Sequence, residues 1–284
     1  PLSTSDEAAG RNIRHWKDWV GHPAYDDYWR SMRPVEEHYP ECQVASYGMA
    51  GWFDVFLQGS LNNFMGMTKS AKTPEARRHQ KIIVGPWIHR LGQLGTESKT
   101  GDIDFGPNVL IDLQAEMTRW YDYWLKGIDN GITNEPRVKV YVMGVNRWRE
   151  SDDWPIPGTQ YTPYYFRSEG RANSLLGDGK LNTTPPEQET PDKYVYDPAH
   201  PVITAGGSTC CGEDTLPVTM GPRDQRPNEY RPDVLVYTTP PLERDVEVTG
   251  PVKVVLYASS SAVDTDFCAK LVDVFPDGYA MNAA

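Results

Sequence analysis

The sequence predicts an α/β part followed by a β-rich part. A strand, an acidic residue, a helix, a second strand and a histidine follow one another between residues 43 and 90. Two helical patterns precede this unit, and short alternating runs without intervening helices follow it from about Pro136. This order is typical of a parallel sheet with a helical crossover, followed by a β-sandwich.

The first forty residues are predicted to be helical. Residues 4–7 (TSDE) match a capping box, and the apolar residues after them recur at helical spacing up to a stop at Gly21. A second, short helix is predicted to begin at Pro23, a favoured first-turn residue, and to end before Pro34.

The next unit places one ionisable residue after each of two strands. Residues 44–52 (VASYGMAGW) predict a strand that leads to Asp54, residues 56–67 predict a helix, and residues 81–87 (KIIVGPW) predict a buried strand that leads to His89. Parallel strands joined by a right-handed crossover present their carboxyl ends on one sheet edge. Asp54 and His89 are therefore expected to lie close together.

One more helix and several short strands complete the predicted elements. Residues 109–127 (VLIDLQAEMTRWYDYWLKG) predict a helix that packs on the sheet and is capped by Gly127. Beyond about Pro136 the predicted strands are QYTPYYF, KYVY, VLVYTT, VKVVLYAS and FCAKLVDVF.

Composition and charge limit the class of partner. The 284 residues carry a formal net charge of -11 and no cluster of lysine and arginine, which argues against nucleic acid and against an anionic membrane surface. No run approaches the roughly 18 apolar residues of a membrane helix. The four cysteines lack the spacing of a zinc site and are interpreted as structural thiols. The expected substrate is a small molecule or a short peptide, and the sequence does not indicate the compartment.

Asp54 and His89 are the candidate catalytic residues. A carboxylate that accepts the Nδ1 proton of an imidazole fixes its tautomer, so that the other nitrogen can take a proton from a nucleophile. An aspartate after a strand also caps turns and helices, and a histidine after Gly-Pro-Trp also occurs as a plain loop residue. Spacing alone leaves both interpretations open.

The sequence contains no suitable nucleophile. A nucleophilic serine of an α/β-hydrolase lies in a G-x-S-x-G turn before the acid, and no serine before Asp54 has glycines on both flanks. Residues 206–210 (GGSTC) lack the last glycine and follow the histidine, and Ser60 is better explained as a polar helix residue.

Trp52 and Trp87 flank the two candidates. They either form the wall of an acyl pocket or pack in the core, and packing is the simpler interpretation.

The series HPAYDDYWRSM, GMAGWFDVF, VGPWIHR and GPRDQRPNEYRPDVLVYTTPPLERDVEVTGPVKVVLYASSSAVDTDF resembles the family of cocaine esterase, glutaryl cephalosporin acylases, α-amino-acid ester hydrolases and X-Pro dipeptidyl-peptidases. The resemblance implies an α/β-hydrolase core that bears a helical cap and is followed by a jelly-roll domain. It also implies that Asp54 is the triad acid and His89 the triad base.

The resemblance further implies a division of the chain. Residues 1–40 would be the end of the cap, residues 41–135 the C-terminal part of the catalytic domain, and residues 136–284 an incomplete jelly roll. In that family the nucleophilic serine and most of the cap precede this region. The chain is therefore expected to be a fragment whose partner is the missing N-terminal half of the enzyme, and to be inactive alone.

The function indicated is that of a serine hydrolase of the acyl esterase or amidase type. It would cleave an ester, an amide or a short peptide through an acyl-enzyme intermediate, with no metal and no organic cofactor. The alternatives are an X-Pro dipeptidyl-peptidase and a non-catalytic β-sandwich binding module. Association into a homo-oligomer is left open.

Overall fold

The structure is a computed structural model that describes residue 10 and residues 13–90, 94–209 and 219–283. The predicted capping box at residues 4–7 lies outside the described residues, as do Cys210 and Cys211.

A four-stranded sheet forms the centre of the fold, in the order β1-β2-β5-β6. The first six strands are β1 (Ser46–Phe53), β2 (Gln80–Ile88), β3 (Lys99–Thr100), β4 (Ile103–Asp104), β5 (Val138–Val142) and β6 (Arg147–Ser151). Strands β1 and β5 pair with β2 in parallel, β6 is an antiparallel edge, and β3 and β4 form a separate hairpin. The predicted parallel unit is thus present.

Five helices precede or cover this sheet. They are α1 (Arg14–Gly21), α2 (Asp27–Ser31), α3 (Leu57–Ser70), α4 (Pro74–Arg78) and α5 (Leu113–Lys126). Helix α2 begins at Asp27 and not at Pro23, because the Asp26 carboxylate accepts a hydrogen bond from the Tyr28 amide and caps the helix there. No helix in the described ranges combines the length and the apolar character needed to cross a membrane.

Helices cover both faces of β2. Ile82 and Val84 share one cluster with Phe64 of α3, whereas Ile83 shares another with Leu113 of α5. A strand buried on both faces is an apolar run without alternation, as residues 81–87 are. Helix α5 has the predicted end: Gly127 adopts the left-handed conformation at φ 69° and caps it.

The C-terminal part contains short elements. They are β7 (Tyr165–Arg167), β8 (Lys180–Asn182), α6 (Arg226–Glu229), β9 (Val272–Val274) and β10 (Ala280–Asn282). Strands β7 and β8 form one antiparallel pair and β9 and β10 another. Two stacked sheets are not formed by these residues, so the jelly roll predicted for this part is not confirmed.

Several predicted strands are extended chain without strand pairing. Residues 251–270, called here the uncovered segment, are all exposed. They take part in none of the backbone–backbone hydrogen bonds found among the described residues. The run VKVVLYAS lies in this segment. A strand needs a neighbour to satisfy its backbone groups, and the described chain places none beside this run.

The predicted domain boundaries stay predictions. Strands β5 and β6 follow the boundary expected at 135 and 136, yet they belong to the same sheet as β1 and β2.

A charged corner links the C-terminal part to the β3–β4 hairpin. Arg223 Nη1 lies 2.6 Å from Asp102 Oδ1, and the Tyr279 hydroxyl donates to Asp102 Oδ2 at 3.2 Å. The buried Gln225 side chain donates to Asn282 Oδ1 at 3.1 Å. The segment GPRDQR is therefore a packing element of this junction.

Candidate active site

Asp54 directly follows β1 and begins the turn into α3. Its amide donates to the Gly51 carbonyl oxygen at 3.0 Å, and its own carbonyl oxygen accepts from the Leu57 amide at 3.1 Å. Its Oδ1 accepts a hydrogen bond from the Phe56 amide at 2.8 Å. The Asp54 side chain therefore closes the turn before α3, whose own N-cap is Phe56, and this bond occupies only one carboxylate oxygen.

The other oxygen faces the histidine. His89 directly follows β2, and its Nδ1 lies 3.1 Å from Asp54 Oδ2. The Asp54 residue is 7% exposed and the His89 side chain is 23% exposed. The two strand ends thus bring together residues that are 35 positions apart, as their placement on one sheet edge predicts.

The pairing of β1 and β2 contains an irregularity just before these residues. Gly51 pairs with Gly85, but Phe53 pairs with Ile88, so that Trp52 lies opposite the two residues Pro86 and Trp87. This is a β-bulge on β2, a feature often found beside active sites. Sequence periodicity gives no signal for it.

The arrangement suits proton transfer. An Nδ1–H that donates to Asp54 fixes the tautomer in which Nε2 is the basic nitrogen of His89. A buried carboxylate beside the ring also stabilises the imidazolium that forms when Nε2 takes a proton. The pair can therefore act as a general base and then as a general acid.

Phe56 also contacts the histidine, which the sequence reasoning missed. Its ring meets the His89 ring edge to face, with the centroids 4.8 Å apart, and the residue is 59% exposed. An exposed aromatic ring on an imidazole restricts its rotation and adds apolar surface beside it. The signal available was its position two residues after the acid.

The two tryptophans make the contacts of core residues. Trp52 Nε1 donates to the Tyr141 carbonyl oxygen at 2.8 Å, and its ring lies 6.0 Å from that of Trp154. Trp87 is 3% exposed and packs 5.8 Å from Trp148. These contacts agree with the packing interpretation, and the pocket role of both residues stays a prediction.

The serine considered in α3 is occupied within its own helix. Ser60 Oγ donates to the Phe56 carbonyl oxygen at 3.0 Å, as polar helix residues often do. In the GGSTC stretch, Gly207 forms an isolated bridge with Gly221, and Cys210 lies outside the described residues. Among the described residues no group of three or more histidine, cysteine, aspartate or glutamate side chains is arranged to hold a metal ion.

A cavity of about 270 Å³ lies at the opposite end of the strands, near the beginnings of β1 and β2. Its lining is charged. Lys81 Nζ, in a residue 7% exposed, donates to Glu135 Oε2 at 2.9 Å, and Arg119 contacts both Glu135 and Glu116. Burial, together with the charges of Glu116 and Glu135, raises the pKa of Tyr47. These charged groups pair with one another. The side chains that line the cavity therefore form an ionic contact between α5 and the sheet.

Comparison with known proteins gives the class to which this chain belongs. The sequence model of the X-Pro dipeptidyl-peptidase C-terminal non-catalytic domain matches residues 130–283, and that of the X-Pro dipeptidyl-peptidases of the S15 family matches residues 2–90. Cocaine esterase from Rhodococcus sp. (strain MB1 Bresler) is 39% identical over 265 residues, which cover 92% of this chain and 43% of that protein.

Two solved structures are also similar to this chain. The crystal structure of an aminopeptidase from a marine sediment Thaumarchaeota archaeon matches with a TM-score of 0.57 and 26% identity, over 85% of this chain and 38% of that one. A CocE/NonD family hydrolase from Staphylococcus aureus matches at 18% identity and a TM-score of 0.41, over 60% of this chain and 26% of that one.

The two family models and cocaine esterase confirm the resemblance inferred from the sequence. The fold is of the α/β-hydrolase class with a further C-terminal domain, and the esterases and dipeptidyl-peptidases to which the chain is similar are serine hydrolases. The chain belongs to the family of cocaine esterase and the X-Pro dipeptidyl-peptidases. It spans less than half the length of the relatives and structures described above.

Proposed function

We propose that this chain supplies the acid and the base of a serine hydrolase that cleaves esters or amides, with Asp54 as the acid and His89 as the base. The observation that carries the proposal is the 3.1 Å contact between Asp54 Oδ2 and His89 Nδ1 at the carboxyl ends of two adjacent parallel strands. A chain that only bound a ligand would have no need of this oriented pair.

The chemistry follows from the two nitrogens of the imidazole. Nε2 of His89 takes the proton of a serine hydroxyl as the serine oxygen attacks the substrate carbonyl, and it then returns the proton to the leaving alcohol or amine. A water molecule, deprotonated by the same nitrogen, then attacks the acyl-enzyme; the acyl–serine bond breaks, the nitrogen returns the proton to the serine oxygen, and the acid is released. Asp54 orients the ring and stabilises its charged form in both steps.

The serine is proposed to lie outside these 284 residues. No serine before Asp54 lies in the G-x-S-x-G turn that exposes such a nucleophile, and Ser60 is hydrogen-bonded within α3. The same proposal includes the division of the chain into the end of a cap (residues 1–40), part of the catalytic domain (residues 41–135) and a jelly roll (residues 136–284).

A second candidate is an X-Pro dipeptidyl-peptidase. It is favoured by the two family models, which cover residues 2–90 and 130–283 and carry that description. Both candidates use the same pair and the same acyl-enzyme, and they differ in the substrate. Turnover of an X-Pro aminoacyl arylamide against that of an aryl ester by the nucleophile-bearing protein distinguishes them.

The test is activity-based labelling of the nucleophile-bearing protein with a fluorophosphonate, together with ester hydrolysis by variants. His89→Ala is expected to abolish both labelling and turnover. Asp54→Asn is expected to lower turnover by about 10⁴-fold, as in a comparable triad.

A matched control is available in a second histidine–aspartate pair. His200 Nδ1 lies 2.8 Å from Asp197 Oδ2, but the His200 side chain is 80% exposed, unlike that of His89. His200→Ala and Asp197→Asn should leave turnover at the wild-type rate. Wild-type turnover in His89→Ala, or an absence of labelling in the folded wild-type protein, would refute the assignment.

A further inference from the structure

The bulge on β2 determines which residue at the end of that strand lies level with Asp54. From Ser46 to Gly51, each residue of β1 pairs with the residue 34 positions later, whereas Phe53 pairs with Ile88, 35 positions later. The bulge therefore brings Asp54 level with His89. Without the extra residue Asp54 would lie level with Ile88.

The difference decides the face on which the histidine lies. Successive side chains of a strand point to opposite faces, so a shift of one residue turns each side chain to the other face. The extra residue at Pro86–Trp87 thus places the imidazole on the same side as the carboxylate, where the 3.1 Å contact forms.

Gly51 leaves the space that the backbone of the bulge occupies. A Cβ atom on Gly51 would lie 2.1 Å from the carbonyl oxygen of Trp87 and 2.6 Å from its carbonyl carbon. These are rigid backbone atoms of the bulge, so a side chain at position 51 would push the bulge away from β1. Space, and not backbone conformation, requires glycine here, because Gly51 does not have a positive φ.

The side chain of Trp87 holds the bulge from the other side. The indole folds back over Gly85, where a Cβ atom would lie 2.4 Å from the ring, and packs against Ile83 and Leu113. Pro86, in the same bulge, has no amide hydrogen to lose from the ladder. The backbone of Trp87 thus rests on one glycine and its ring on another.

We propose that Gly51 and Trp87 are positioning residues of the candidate active site: they hold the one-residue bulge that aligns His89 with Asp54. The inference rests on the proposed function for its effect on turnover. Its effect on the imidazole does not depend on that function. Neither residue is assigned a contact with substrate.

The test compares two alanine substitutions on the same strand. Gly51→Ala meets the backbone of Trp87, whereas a Cβ on Gly48 meets its nearest atom, in the Ile82 side chain, at an ordinary 3.6 Å. In the nucleophile-bearing protein, Gly51→Ala is expected to lower kcat by about 100-fold with KM nearly unchanged, the effect of a misplaced catalytic group. Gly48→Ala should retain the wild-type kcat.

Nitrogen-15 NMR of labelled histidine supplies a readout that is independent of turnover. In the wild-type protein the His89 signals, identified by their loss in His89→Ala, should show the Nδ1–H tautomer with a downfield proton held by Asp54. Gly51→Ala should lose that proton signal, and Gly48→Ala should keep it. If His89→Ala proves fully active, the proposed function fails, and the NMR comparison alone decides this inference.

Folding is checked by circular dichroism and thermal unfolding. If Gly51→Ala does not fold, Trp87→Phe decides the question, because it shortens the ring over Gly85 without a backbone clash. Trp87→Phe should weaken the downfield proton signal of His89 and lower kcat. Trp148→Phe, a change in the neighbouring ring, should change neither. A folded Gly51→Ala with the wild-type proton signal and wild-type kcat would overturn the proposal, as would an unchanged Trp87→Phe.

Discussion

Two stretches of this chain have similar apolar sequences and opposite surroundings. Residues 81–87 (KIIVGPW) form the central strand, and Ile82, Ile83 and Val84 are at most 1% exposed. Residues 252–259 (VKVVLYAS) lie in the uncovered segment, where Val255 is 62% exposed and Tyr257 is 98% exposed.

The difference shows what an apolar run specifies by itself. Branched and aromatic residues favour extended backbone, but a strand becomes stable only when its backbone groups pair and its side chains are covered. Strand β2 has β1 and β5 as neighbours and α3 and α5 on its faces. The uncovered segment has no such neighbours among the described residues.

Amide hydrogen exchange should show the largest contrast. Amides of Ile82 and Val84, in the centre of the sheet, open only with the core and should be protected by about 10³-fold or more. Amides of residues 252–257 should exchange at nearly the intrinsic rate. The measurement is exchange followed by mass spectrometry of the protein in its native buffer. Protection of both stretches to the same extent would show that residues 252–257 are paired and would remove the contrast.

A matched pair of valine substitutions should show the next largest effect. Val84→Ala removes two buried methyl groups from the core and is expected to lower the free energy of unfolding by about 2 kcal/mol. Val255→Ala makes the same change in the uncovered segment and should stay within about 0.5 kcal/mol of the wild type. Urea denaturation of both variants checks this. Equal losses would mean that Val255 is as well packed as Val84.

The smallest effect concerns the acid sensitivity of the ionic contacts between α5 and the sheet. Burial would raise the pKa of Glu135, but hydrogen bonds from Arg119 and Lys81 outweigh it and hold that pKa below its usual range. A lowered pKa in the folded state means stabilisation that is present above about pH 4.3 and is lost as the pH falls through the folded value. Glu135→Gln should therefore cost about 1 kcal/mol at neutral pH, since the side chain is 38% exposed.

The gap between Glu135→Gln and the wild type should then narrow below about pH 4.3. Thermal unfolding between pH 7 and pH 3 measures it. Glu243→Gln, which makes the same charge change near the uncovered segment, controls for net charge. A gap that is constant over this range would show that Glu135 gains nothing from its two cations.

The α/β part was predictable because its signals are local and agree with one another. The apolar run at 81–87 gave β2, the helical spacing before Gly127 gave α5, and the shared sheet edge brought Asp54 near His89. The start of α2 was misplaced because a proline and a capping aspartate lie three residues apart, and the side-chain bond of Asp26 decides between them.

The bulge could not be predicted from a two-residue period, because that period assumes an uninterrupted ladder. The same limit applies to Trp87, whose apolar character suits a pocket wall as well as a core. Its position on Gly51 and Gly85 depends on where two strands meet in space. The jelly roll is not confirmed, and VKVVLYAS shows why the sequence could not establish it: alternating apolar residues predict a strand but do not say which segment pairs with it.

The contact between His89 and Asp54 joins residues 35 positions apart in the chain. Parallel pairing over such a distance must first pay the entropy of closing the intervening loop, and it forms more slowly than a helix does. During refolding, much of the helical content will thus form before the side chains of Asp54 and His89 meet. The formation of their hydrogen bond would therefore report when the native sheet has formed. An intermediate in which β1 and β2 pair without the bulge would lack this hydrogen bond.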